Sequence, residues 1–133
     1  MAGYSGTPLA QKLSLKPGMR VWFHAMPAHV LAEIGMPELE RLPAPGPGLD
    51  AAHIFVTSYA DMDAKLALLR PLIDPAGFVW VSWPKRASKV DTDITEDRIR
   101  DVILPATDWV DVKVCAVDEV WSGLKLVIRK SAR

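Results

Sequence analysis

Residues 77–88, Gly-Phe-Val-Trp-Val-Ser-Trp-Pro-Lys-Arg-Ala-Ser, constrain the fold more than any other stretch of this chain. The stretch begins as an unbroken apolar run, which is typical of a strand covered on both faces. It breaks at the Trp-Pro pair and passes into a short loop that carries Lys85, Arg86 and Lys89. An α/β fold places a ligand where a buried central strand ends in such a loop.

Helix and strand signals alternate along the rest of the chain. Apolar runs rich in β-branched and aromatic residues predict strands at residues 20–25, 53–57, 78–83, 109–117 and 124–129. Helical spacing and end signals predict helices at residues 9–13, 28–34, 61–70 and about 95–104. The last of these has two candidate N-caps, Thr95 and Asp93, and Asp93 has capping-box spacing to Glu96. Residues 37–42 are a possible further turn of helix, and residues 43–48 and 71–77 are predicted loops.

This order of elements predicts a three-layer α/β fold. The sheet has about five strands, is mostly parallel and ends in a C-terminal antiparallel hairpin, with helices on both faces. The length of 133 residues fits one core, so residues 1–133 are interpreted as a single domain. The carboxyl ends of the first four predicted strands then share one rim. If the last strand inserts between the third and the fourth, Trp121 and Ser122 lie beside Trp83 and Pro84.

The predicted ligand site is this rim. Its candidate ligand-binding residues are Trp83, Lys85, Arg86, Lys89, Ser58, His24, Trp121 and Ser122. The three cations run into a predicted helix N-terminus, where free N–H groups and the helix dipole also favour an anion. The alternative is a solvated loop whose lysines pair with Asp91, Asp93 or Glu119. The tryptophans either form an aromatic wall at the rim or belong to the core.

No motif predicts a catalytic residue or a metal ligand. The serines do not lie in a Gly-x-Ser-x-Gly nucleophile elbow. No pair of acidic residues stands out as an acid–base couple. His24 and His29 are five residues apart, which suits neither a helical metal pair nor a zinc motif. The only cysteine, Cys115, lies in an apolar alternating run and is interpreted as a packed thiol rather than a catalytic one.

Charge and hydropathy exclude some classes of partner. Sixteen basic residues balance sixteen acidic ones, so we expect no nucleic acid and no membrane surface as partner. The apolar runs are shorter than the ~20 residues of a membrane span, and residues 1–7 do not resemble a signal peptide. A single cysteine forms no internal disulfide, so a cytoplasmic location is expected.

Residues 16–21 (Lys-Pro-Gly-Met-Arg-Val), residues 72–79 (Leu-Ile-Asp-Pro-Ala-Gly-Phe-Val) and the C-terminal hairpin resemble the class I methyltransferase family, which has a Rossmann-like fold. The resemblance implies a truncated core without the family's second and third strands. Where the family has a glycine-rich loop for S-adenosylmethionine, this chain has Phe-His-Ala-Met-Pro-Ala-His at residues 23–29. No acidic residue follows a second strand to hold a ribose. The resemblance therefore favours the fold and not the cofactor, and no cofactor is predicted.

Five further motifs, at residues 2–9, 80–85, 93–96, 110–119 and 121–123, are similar to those of a bacterial family of uncharacterised proteins, the domain of unknown function 3052 family. This resemblance covers nearly the whole chain and implies no known activity.

The favoured hypothesis is a non-catalytic module that binds a small anionic ligand or a protein partner at the rim. One alternative is a degenerate S-adenosylmethionine-dependent methyltransferase-like enzyme. Another is a structural module, with a homodimer formed through an exposed edge strand as one possibility. The absence of the glycine-rich loop favours the non-enzymatic hypotheses.

Overall fold

The computed structural model describes residues 7–133, and a six-stranded sheet lies at its centre. Residues 2–6, which belong to the motif at residues 2–9, lie outside the described residues. The strands are β1 (Arg20–His24), β2 (Glu40–Arg41), β3 (Leu49–Phe55), β4 (Ile73–Pro84), β5 (Trp109–Ala116) and β6 (Trp121–Ile128), in the order β2-β1-β3-β4-β6-β5. β1 to β4 are mutually parallel, and β6 runs antiparallel to both of its neighbours. The predicted mostly parallel sheet with an antiparallel C-terminal hairpin is confirmed.

Helices cover both faces of this sheet. On one face lie α1 (Leu9–Lys12) and α2 (Ala28–Ile34). The other face carries α3 (Tyr59–Leu69) and a helical segment at residues 96–106. This segment consists of α4 (Glu96–Arg98), a π-helical stretch (Ile99–Ile103) and α5 (Leu104–Ala106). Short 3₁₀ turns lie at Arg86–Ser88 and Lys130–Ala132.

Each face has its own buried cluster. Consecutive residues of β4 alternate between them, with Trp80 packed against Leu13 on the α1 side and Val81 against Met62 and its neighbours on the α3 side. This alternation requires an unbroken apolar sequence in the strand, because neither face is left to solvent. The run at residues 78–83 is therefore central in the sheet, as predicted.

The hairpin inserts as the topology predicts. β6 lies between β4 and β5, so Ser122 pairs with Trp83 and Trp121 pairs with Pro84. The amide of Lys85 continues this contact by donating to the carbonyl of Val120 at 2.7 Å. The loop after β4 is thereby fixed beside the start of β6.

The edge strand β2 was predicted as a turn of helix, and that prediction is wrong. Its residues follow β1 instead, because the amide of Glu40 donates to the Met19 carbonyl and the amide of Leu42 donates to the Val21 carbonyl. An ion pair between Arg20 Nε and Glu40 Oε2 at 2.5 Å adds to the pairing. A short strand thus stands next to β1, where the methyltransferase resemblance implied none.

β4 begins at Ile73, within the predicted loop at residues 71–77. Ile73 pairs with Leu49, and the register then shifts before the regular pairing of Ala51 with Phe78. Gly77 lies in this irregular part, and a Cβ there would stand 2.6 Å from the carbonyl oxygen of Asp50. Only glycine fits so close an approach of two backbones.

Thr95, and not Asp93, is the N-cap of the helical segment. Thr95 Oγ1 accepts a hydrogen bond from the Arg98 amide at 3.0 Å. Asp93 instead accepts a hydrogen bond from the Tyr59 amide at 2.6 Å, which joins the segment to the start of α3. At the end of α2, Gly35 adopts a left-handed conformation, which is common for the residue that ends a helix.

Among residues 7–133, no helix is long and apolar enough to cross a membrane.

Candidate functional site

A cleft of about 520 Å³ opens at the carboxyl end of β4, and we call it the basic cleft. Trp83 and Ser122 lie at its base, since they are opposite each other in the sheet and so project from the same face. The loop from Pro84 to Thr92 and the chain from Ile94 to Glu96 form its sides. Five predicted site residues line it: Trp83, Lys85, Arg86, Lys89 and Ser122.

The loop of the basic cleft is held at both ends by hydrogen bonds. At its start, Lys85 is fixed to the hairpin through its amide, and its Nζ donates to the carbonyl of Asp118 at 2.7 Å. At its end, Thr92 Oγ1 donates to the carbonyl of Thr57 at 2.6 Å. Between them, Ser88 Oγ donates to the Lys85 carbonyl, and Lys89 adopts a left-handed conformation. The shape of the loop is therefore set by the protein.

Two cations of the cleft have no partner in the part of the chain that is described. The exposed side chains of Arg86 and Lys89 form neither an ion pair nor a hydrogen bond there. The predicted alternative, pairing with Asp91, Asp93 or Glu119, is not what residues 7–133 show. Their charges face water and whatever occupies the cleft.

The other three predicted site residues lie outside the basic cleft. Ser58 caps α3, with its Oγ accepting from the Asp61 amide at 3.1 Å. His24 Nε2 lies 3.8 Å from Asp61 Oδ2. Trp121 packs edge-on against Phe55 at 5.1 Å between ring centroids and belongs to the α1 side. Trp83 and Trp121 therefore do not form a shared aromatic wall.

Sequence reasoning missed half of the lining. Residues 90–92 and 94–96 complete the cleft, and among them Asp91 is exposed and Ile94 is buried. The sequence did contain a signal for these residues. The loop leaves the carboxyl end of β4 and leads to the N-cap Thr95, so it has to border the space at that end of the strand.

A second polar feature of the rim is centred on Asp118. His29 Nε2 lies 2.7 Å from Asp118 Oδ2, while Oδ1 accepts the amides of Val120 and Trp121 at 2.8 and 2.7 Å. Burial of the Asp118 carboxyl opposes its ionisation, but the hydrogen bonds from His29 and from the two amides outweigh burial and lower its pKa. The carboxylate thereby joins α2 to the hairpin turn.

His53 and Ser82 form a buried pair beneath the rim. His53 Nε2 and Ser82 Oγ are 2.7 Å apart, and the imidazole stacks on Phe55 with ring centroids 4.4 Å apart. Burial lowers the pKa of His53 to about 3. The imidazole is therefore neutral at physiological pH and is closed off from solvent.

The loop after β1 differs from the glycine-rich loop of class I methyltransferases. The loop at residues 23–29 has no glycine, although Ala25 adopts a left-handed φ of 53°. Beyond β2, a depression of about 310 Å³ is lined by Phe23, Arg41, Leu42 and Pro43. The Arg41 guanidinium lies over the Phe23 ring at 5.7 Å, so the charged group that lines this depression is a cation.

No group of three or more His, Cys, Asp or Glu side chains within residues 7–133 is placed to hold a metal ion.

Solved structures of methyltransferases share this fold. The ribosomal protein L11 methylase of Lactobacillus delbrueckii subsp. bulgaricus matches with a TM-score of 0.58 at 10% identity, over 91% of this chain and 75% of the methylase. A SAM-dependent methyltransferase of Aquifex aeolicus matches with a TM-score of 0.56 at 15% identity, over 90% and 89%. Aeropyrum pernix fibrillarin with natively bound S-adenosyl-L-methionine matches with a TM-score of 0.55 at 12% identity, over 95% and 71%.

These likenesses show a Rossmann-like, methyltransferase-like fold. No protein-family model matches the sequence, and no curated protein matches it. The resemblance to the domain of unknown function 3052 family therefore stays a prediction.

Proposed function

We propose that this chain is a binding module with a methyltransferase-like fold that holds a small anionic ligand in the basic cleft. One observation carries the proposal. Arg86 and Lys89 line a cleft of about 520 Å³ and have no intramolecular partner among the described residues. An anion in the cleft would pair with both, and Lys85 and Ser122 add further donors.

The exposure of these cations limits the affinity. A solvent-exposed ion pair contributes about 0–1 kcal/mol. Two such pairs contribute at most about 2 kcal/mol, and a dissociation constant of about 1 mM corresponds to about 4 kcal/mol, so we expect binding no tighter than the millimolar range.

Isothermal titration calorimetry with succinate and with inorganic phosphate tests this proposal. The variant Arg86→Ala/Lys89→Ala should bind roughly tenfold more weakly. The variant Lys16→Ala/Lys130→Ala is a matched control, because it removes the same net charge from exposed positions outside the cleft. Absence of heat with either anion, or equal weakening in both variants, would refute the proposal.

The comparisons favour a second candidate, a degenerate S-adenosylmethionine-dependent methyltransferase-like enzyme. They support it better than they support a module unrelated to methyltransferases, since one matched structure holds S-adenosyl-L-methionine natively. The loop at residues 23–29, which contains no glycine, weighs against it. Titration with S-adenosylmethionine and its demethylated product separates the two, and a dissociation constant weaker than about 1 mM, about −4 kcal/mol, would reject the enzyme.

A protein partner or a homodimer is a further hypothesis, and the outer edge of β5 is the surface it would use. Val112 and Val114 are 54% and 51% exposed there. The edge is also irregular, because the register shifts between Asp111 and Lys113, and such breaks oppose strand addition. Light scattering at several protein concentrations tests this hypothesis.

A further inference from the structure

The basic cleft also contains an unpartnered negative charge. Asp91 lines the cleft, is exposed, and forms no hydrogen bond or ion pair with any residue from 7 to 133. It follows the three cations in the same short loop, yet it lies beyond 4 Å from their nitrogen atoms, the limit for an ion pair.

The other charges of the cleft already have partners. Lys85 Nζ donates to the Asp118 carbonyl, and Glu96 pairs with Arg100. The side chains left open are those of Arg86, Lys89 and Asp91. The cleft thus presents two unpartnered positive charges and one unpartnered negative charge to its contents, beside the hydrogen-bonded ammonium group of Lys85.

This arrangement suits a ligand that carries both signs of charge. A simple anion would pair with the two cations but would place its negative charge near the Asp91 carboxylate, which costs energy. A ligand with an ammonium group would pair with Asp91 and remove that cost. Hydrogen bonds at both ends hold the loop in place. Its positive and negative side chains can therefore both line the cleft without forming an ion pair with each other.

We propose that the basic cleft selects an amino-bearing anion, of the class of small acidic amino acids. Its acidic groups pair with Arg86 and Lys89, and its ammonium group pairs with Asp91. The proposal rests on the proposed function, because it requires an anion in the same cleft.

Calorimetric titration with L-aspartate and succinate tests the selection, since these probes have the same two carboxylates and differ by one ammonium group. We expect the protein to bind L-aspartate about fivefold more tightly than succinate. In Asp91→Asn that preference should disappear, with succinate bound at least as tightly as by the unchanged protein. Asp97→Asn is the matched control, because Asp97 is exposed, lies outside the cleft and carries the same charge.

Each outcome separates the two proposals. Equal or tighter binding of succinate by the unchanged protein overturns the selection and leaves the anion site intact. A preference for L-aspartate that survives in Asp91→Asn, or is lost equally in Asp97→Asn, overturns the role of Asp91. Binding of neither probe overturns both the selection and the proposed function. Thermal unfolding of each variant verifies that it is folded before titration.

Discussion

Mild acid should destabilise this protein through His53. The imidazole is 2% exposed, is hydrogen-bonded to Ser82 and is stacked on Phe55. Burial lowers its pKa from 6.5 to about 3 in the folded state. As the pH falls below 6.5, His53 therefore becomes protonated in the unfolded chain but stays neutral in the folded protein.

The size of the effect follows from the two pKa values. Each pH unit between them costs about 1.4 kcal/mol of stability, which amounts to about 5 kcal/mol by pH 3. Above pH 6.5 the imidazole is neutral in both states and costs no stability. As the pH falls from 6.5 toward 3, the free energy of unfolding decreases progressively. At about pH 5 the loss relative to about pH 7.5 is about 2 kcal/mol, a large share of the ~5–15 kcal/mol typical of a domain.

Urea unfolding at these two pH values measures the loss directly. In His53→Gln the amide can still hydrogen-bond Ser82 but does not titrate, so the variant should lose about 2 kcal/mol less than the unchanged protein. The double variant His53→Leu/Ser82→Ala removes both polar groups and serves if the glutamine is poorly accommodated. Equal losses in the unchanged protein and in both variants would refute the assignment to His53.

Three further substitution and labelling experiments test other contacts. Asp118→Ala removes the acceptor of two turn amides and of one imidazole, so chemical denaturation should show a loss of stability of about 2 kcal/mol. The control variant Glu119→Ala, at an exposed neighbouring position, should change stability by less than about 0.5 kcal/mol. Gly77→Ala should cost about 1–3 kcal/mol in the same assay because its Cβ meets backbone, whereas Gly46→Ala, with its nearest neighbour at 3.8 Å, should be close to neutral. Equal effects within either pair contradict the corresponding contact. Burial raises the pKa of the Cys115 thiol, so a thiol reagent should label the folded protein much more slowly than the urea-unfolded chain; equal rates would contradict this.

The central strand and its neighbour could be predicted because the signals were local and strong. The apolar run at residues 78–83 requires cover on both faces, and the chain order leaves few places for the last strand. The strand β2 could not be predicted in this way. Its two residues have no strand pattern of their own and are held by amides that donate to the carbonyls of Met19 and Val21.

The location of the candidate site could be predicted more fully than the side chains that line it. Topology brings Ser58 and His24 to the rim, but a local helix cap and a nearby carboxylate engage them. The cap could have been recognised, since a serine directly precedes the helix that it caps. The pairing of His29 with Asp118 spans 89 residues, and neither residue type nor spacing indicates it.

The insertion of β6 between β4 and β5 has a consequence for synthesis on the ribosome. The strand β4, whose residues 78–84 are all buried, has its final neighbour only when residues 121–128 have left the exit tunnel. Until then one long side of β4 is an unpaired edge on a nascent chain. Residues 121–128 close the sheet, so a chain that stops at residue 120 leaves β4 with an unpaired edge at which other strands can add.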